Sequence, residues 1–173
     1  HGQGVGRLLF WEPSPGMQIM MRYALAVAAL VGAAGCTVLG PEVGVLTGLE
    51  EARERWENTR PSSYEFAVER MCFCGVESRG PVRLRVQGTT TVERVYVDYG
   101  APVPAEMADW FPTVDGLFDM LASALASDAH EVRATYDPVS GVPIDFWIDY
   151  IEFAADEEQG MRVTEPVQPL GGP

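Results

Sequence analysis

"HEVRATYDPVSGVPIDFWIDY", His130 to Tyr150, decides the fold. Two alternating runs flank "DPVSG", in which Asp137 can close an Asx turn and Gly141 can take a positive φ. In the second run, strict alternation sends Ile144, Phe146, Ile148 and Tyr150 to one face, with Asp145, Trp147 and Asp149 on the other. Such a segment is a β-hairpin with one face on a core and one in water, and it implies an antiparallel sheet.

The flanking segments extend the pattern. "VRLRV" sets Val82, Leu84 and Val86 against Arg83 and Arg85, and "VERVYVD" follows through Gly88 and Thr89 as a second hairpin. "SSYEFAVERMCFC" places Tyr64, Phe66 and Val68 opposite Glu65, Ala67 and Glu69, and "MRVTEPV" reads as a last short strand. Thr47 and Glu50 form a T-x-x-E capping box, with Leu49, Ala52 and Trp56 at helical spacing, so a helix is expected over 48–59 before Pro61. Thr113 is the expected N-cap of a second helix running to about Ser127, with Asp115 near its positive end and Leu117, Phe118, Leu121, Ala124 and Leu125 as its buried stripe. The expected fold class is α+β, an antiparallel sheet of about six strands with two helices in the order α-β-β-β-α-β-β-β. Cap to first strand is 17 residues in one half (Thr47 to Tyr64) and 18 in the other (Thr113 to Glu131), a spacing that raises an αβββ duplication as a reading of the topology.

The amino-terminal part is organised differently. Residues 1–16 have no periodicity and read as an upstream, non-native segment. From Met17, one positive charge at Arg22, an apolar run of about 13 residues and a small-residue end make the three-part layout of a secretory signal. The run is shorter than the ~20 residues a membrane-spanning helix needs. Ala33-Ala34-Gly35-Cys36 resembles the lipobox of bacterial lipoproteins, which implies a signal peptide over 17–35 and lipidation of Cys36. The expected organisation continues with a tether over 36–46, a single α+β domain over 47–166 and a flexible tail over 167–173. The protein is then exported and membrane-anchored through the lipid at the bacterial cell envelope, in the periplasm or on the outer surface.

Charge narrows the partners. The chain carries 25 acidic and 12 basic residues, net −13. Removing residues 1–35 takes away Arg7, Arg22 and Glu12, leaving 10 basic against 24 acidic, or −14. A nucleic acid is excluded as a partner, because phosphate binding needs clustered positive charge. All 12 basic residues are Arg, so neither a Walker lysine nor a Schiff-base lysine is available.

"RMCFC", "PTVDGLFD", "YDPVSGVPIDFWIDY" and "ADEE", in this order, resemble a family of bacterial secreted proteins and lipoproteins known as domain of unknown function 6174. The resemblance covers roughly Trp56 to Val163. It implies export and an antiparallel α+β domain, and it carries no activity, cofactor or catalytic residue. At Val142 the family commonly has Tyr.

Candidate chemistry is sparse. His130 follows the second helix, where its ring can meet the last carbonyls. Asp137, Asp156 and Glu157 are weak candidates for a metal, since oxygen-rich loops can hold Ca²⁺ but the EF-hand spacing is absent. Trp147, facing outward between Asp145 and Asp149, suits a cationic protein or peptide partner through cation–π and charge contacts. With Cys36 lipidated, Cys72 and Cys74 are the one remaining pair, and a disulfide between them is favoured over two buried thiols or a redox or metal role. Two residues of regular strand span about 6.6 Å, so that bond requires a bend. The reading that follows is a non-enzymatic envelope lipoprotein domain, without a cofactor, that binds a protein or peptide. Its alternative is a Ca²⁺-dependent or carboxylate-based hydrolase using the acidic carboxyl-terminal loops.

Overall fold

The computed structural model describes residues 41–154 and 156–171. The expected signal peptide over 17–35 and Cys36 lie outside them. Six antiparallel strands form one sheet: β1 (Ser63–Met71), β2 (Val82–Gln87), β3 (Thr90–Tyr96), β4 (Glu131–Tyr136), β5 (Pro143–Asp149) and β6 (Gln159–Pro169). Their order across the sheet is β3-β2-β1-β6-β5-β4, so the first and last strands meet at the centre. Helices α1 (Pro41–Thr59) and α3 (Val114–Ala126) pack against one face. A single turn, α2 (Val76–Arg79), and a 3₁₀ helix, Ala105–Trp110, stand between the expected elements. Among the described residues no helix is long and apolar enough to cross a membrane.

The buried layer follows the alternation. Tyr64, Phe66 and Val68 of β1, Val82, Leu84 and Val86 of β2, and Phe146 and Ile148 of β5 are all buried. They meet Leu49, Ala52 and Trp56 of α1 and Leu117, Phe118 and Leu121 of α3, and full burial of such side chains is worth about 1.5–3 kcal/mol each. Asp115 ties the two helices together. Its carboxylate accepts the Trp56 indole N–H at 2.8 Å and the Arg60 guanidinium at 2.8 Å. The Thr113 cap forms as expected, its hydroxyl accepting the Gly116 N–H at 3.2 Å.

Two boundaries and the expected role of His130 differ from the sequence reading. Helix α1 starts at Pro41, so residues 41–46 of the expected tether are helical and the Thr47/Glu50 pair is internal. Proline suits a first helical position because the missing N–H has no partner there. Strand β6 runs to Pro169, into the expected tail, because Glu65 and Tyr64 of β1 pair with Gln168 and Pro169. The register slips twice, between Glu65 and Ala67 and between Ala67 and Val68, and these bulges let a central strand contain Pro166, which cannot donate to a ladder. His130 is exposed, and the end of α3 is instead closed by Ser127, whose hydroxyl donates to Ala124 O at 3.0 Å.

The opposite sheet face is covered by ion pairs. Arg83 bonds Glu165 in a two-pronged contact at 2.8 and 2.6 Å, spanning β1 at Ala67, which is itself fully buried. Arg85 reaches Glu65 and Glu93, and Arg162 reaches Asp145 at 2.8 Å.

Gly141 takes φ +80°, and a Cβ there would collide with the Ala52 carbonyl of α1. Gly141→Ala is expected to cost about 2 kcal/mol or more in urea unfolding. A loss below about 0.5 kcal/mol would show that the hairpin does not rest on α1. Burial pushes the hydroxyls of Tyr64 and Tyr136 up to about 12, with the nearby Asp115 charge adding to the effect on Tyr64. The fold favours the protonated form of both, so their contribution is complete below the unfolded value of about 10 and is lost as pH rises from 10 toward 12. The Tyr136 hydroxyl has no hydrogen-bond partner among the described residues. Tyr136→Phe should therefore fold at least as stably at pH 7 and lose less stability between pH 10 and 12 than wild type, measured by urea midpoints.

Candidate functional site

A cleft of about 280 Å³ opens where the end of α1, the β4–β5 turn and the end of β6 come together. Four chain segments build it. Trp56, Thr59 and Pro61 form one wall, the turn supplies Asp137, Val139, Ser140 and Val142, and Ile144, Val163, Pro166, Val167 and Pro169 make the rest. The double bulge carries Pro166 and Val167 to this position, and Gly141 lets the turn close on the helix. The lining is mainly apolar.

Its polar side chains are already occupied. Asp137 Oδ1 accepts the N–H of Val139 at 3.0 Å and both the N–H and the hydroxyl of Ser140, at 2.6 and 2.8 Å. These bonds, led by that from the Ser140 N–H, hold the Asp137 carboxyl below its ordinary value. Thr59 donates its hydroxyl to the Arg55 carbonyl at 2.8 Å. The Asp137 carboxylate that accepts the Ser140 hydroxyl also accepts two backbone N–H groups and is a poor proton acceptor, and the Thr59 hydroxyl is bonded to a carbonyl. The arrangement can hold an apolar group; it does not assemble proton transfer or a nucleophile.

The residues singled out by sequence fall elsewhere. Trp147 is half-buried on the ion-paired face, set between Arg133 and Gly160 on the neighbouring strands. Gly160 is fixed by that contact, since a Cβ there would press on the indole, on Met71 and on the Phe146 carbonyl. Met71, Arg133, Asp145 and Trp147 line a shallow depression. The acids beside Trp147 are engaged, Asp145 with Arg162 and Asp149 with the N–H of Ile151 at 3.1 Å. Asp145 is thus charge-compensated, while Asp149 keeps its negative charge and accepts only a backbone N–H.

Asp137 lies at one end of β5, while Asp156 and Glu157 lie beyond the other end, so these three carboxylates do not converge. Glu157 serves its own loop, accepting the N–H groups of Tyr150 and Ile151 at 3.1 and 2.8 Å. No group of three or more His, Cys, Asp or Glu side chains arranged for a metal occurs among the described residues. Cys72 and Cys74 are joined by a disulfide, with Cα atoms 5.3 Å apart where the chain bends after β1. The cleft was missed from sequence because its parts are scattered; the usable signal was the pair of prolines, Pro166 and Pro169, in an otherwise strand-like run.

Asp137→Asn should keep the turn's acceptor but lose its charge. With the folded value depressed, the stability from the carboxylate is present above the unfolded value of about 3.9 and disappears as pH falls through the folded value. The variant is expected to be less stable than wild type at pH 7, with the gap closing below pH 4. A gap independent of pH would assign the effect to geometry rather than charge.

Among curated proteins and among solved structures, nothing matches this chain. A family model does match, over residues 48–167, which include the whole sheet except the last two residues of β6. The chain belongs to the family of unknown function DUF6174.

Proposed function

We propose that the protein is an exported bacterial lipoprotein, anchored through Cys36 at the cell envelope, whose domain binds a protein or peptide partner and performs no catalysis. The observation that carries this reading is the cleft beside Trp56, apolar over most of its wall and with Asp137 and Ser140 committed to the turn that shapes it. Apolar pockets with few polar groups are the usual form of a binding site. An extended segment with a proline, valine or leucine side chain suits this volume and chemistry. Export is supported by the charge, apolar run and small-residue end of residues 17–35.

The rival, a Ca²⁺-dependent or carboxylate-based hydrolase, needs Asp137, Asp156 and Glu157 to act together. A strand of seven residues, about 23 Å, stands between the loops that hold them. The αβββ duplication belongs with this proposal as a reading of origin, supported by two meanders laid down in the same sense, β3-β2-β1 and β6-β5-β4.

Intact mass of the detergent-extracted protein from its native host should show a lipidated chain starting at Cys36. An unlipidated chain, or one cleaved elsewhere, would refute the anchor. For the cleft, Nile red serves as an apolar probe. Val139 is an exposed part of the lining, so Val139→Glu should fold normally while cutting the dye's fluorescence enhancement at least threefold. Equal enhancement in both proteins would remove the cleft as the binding site.

A further inference from the structure

The end of the sheet opposite the cleft presents two loops that the binding reading does not use. One leaves β1 and contains Phe73 and Val76; the other enters β6 and contains Ile151 and Phe153. Because Met71 of β1 pairs with Gly160 of β6, the loops stand side by side at adjoining strand ends. Phe73 is 91% exposed and Phe153 96% exposed. A phenylalanine in water forgoes the gain of burial, and here the chain keeps two of them there.

Each is held out by its own brace. Cys72 and Cys74 are bonded across Phe73, so the two flanking side chains are tied together and the phenyl ring is left to solvent. In the second loop Phe153 takes φ +67° and Asp156 φ +96°, conformations unfavourable for residues with a side chain. The loop is held by Glu157, which accepts the N–H groups of Tyr150 and Ile151, and by the Ala154 N–H bonding the Ile151 carbonyl at 3.0 Å. Positive φ at residues with a side chain is found most often at functional loops.

Charge identifies the occupant. Glu77, Glu152, Asp156 and Glu158 belong to these loops, and none of them is in an ion pair among the described residues. Arg79 is the one basic residue in the same two loops. This contrasts with the ion-paired sheet face, where Arg83, Arg85, Arg133 and Arg162 each pair with an acid. An anionic lipid surface would be repelled. We propose that Phe73, Val76, Ile151 and Phe153 form a docking surface for a segment of another protein in which apolar side chains alternate with Arg or Lys. The phenyl rings enter its apolar positions and the four carboxylates meet its cations, an arrangement that gives both a desolvated centre and a charged rim.

The test is selection of a random dodecapeptide phage library on the immobilised full chain, followed by titration of a synthetic peptide of the enriched sequence. The expected peptides carry an excess of Arg and Lys over Asp and Glu and at least one aromatic or leucine. Their affinity should fall at least tenfold in Phe153→Ser and in Phe73→Ser, and at least threefold between 50 and 300 mM NaCl. Both rings are exposed, so urea midpoints of the variants should match wild type, and the Val139→Glu cleft variant should bind these peptides unchanged. No enrichment, peptides without a basic excess, or equal binding to the double Phe variant would each overturn the proposal. So would Phe153-dependent co-sedimentation with phosphatidylcholine vesicles, which would assign the surface to lipid, or Phe73-dependent dimerisation, which would assign it to a second copy.

Discussion

The pairing of β1 with β6 is the contact on which the rest depends. Each half of the chain can form a three-stranded meander from neighbouring segments, but only this pair, about 100 residues apart in sequence, joins the meanders into one sheet. A three-stranded sheet with one helix would leave much of its apolar face in water. The joined sheet gives both helices a common floor, with Phe66 and Val68 of β1 beside Phe146 and Met161 of the second half. Forming this pair means closing a long loop before its contacts are made, so folding should be slower than in a helical bundle of the same length.

Within the helical layer the two helices are fixed to each other by a polar contact. Asp115 sits in the first turn of α3, where the helix dipole favours its charge, and from there bonds both Trp56 and Arg60 at the end of α1. Trp56 is buried against Tyr64 in an edge-on contact with ring centres 5.3 Å apart. Its indole N–H would be an unsatisfied buried donor without the carboxylate. The same tryptophan lines the cleft, so the clasp that sets the helices also sets one of its walls.

Much of this was legible in the residues. Period-two alternation placed all six strands, Thr113 announced its helix, and Asp137 with Gly141 announced the turn, because each signal is local and acts through its own backbone. The start of α1 was misread because a capping box at Thr47 is also compatible with a helix interior when tolerant residues precede it. The full length of β6 was missed because the proline- and glycine-rich end after "MRVTEPV" reads as a tail, whereas Gln168 and Pro169 pair with β1. Strand order, the cleft and the braced Phe153 loop were not legible. They depend on which distant segments meet, or on side-chain bonds to backbone such as that of Glu157, and no periodicity encodes these.

Pro166 sits at a register slip in the middle of the sheet and also on the wall of the cleft. Selection therefore acts on this position through two traits at once. A substitution that restored regular pairing would strengthen the ladder while straightening the strand away from its place beside Trp56 and Thr59. Ladder stability and the shape of the cleft pull in opposite directions here, making the bulge a compromise rather than a tolerated flaw.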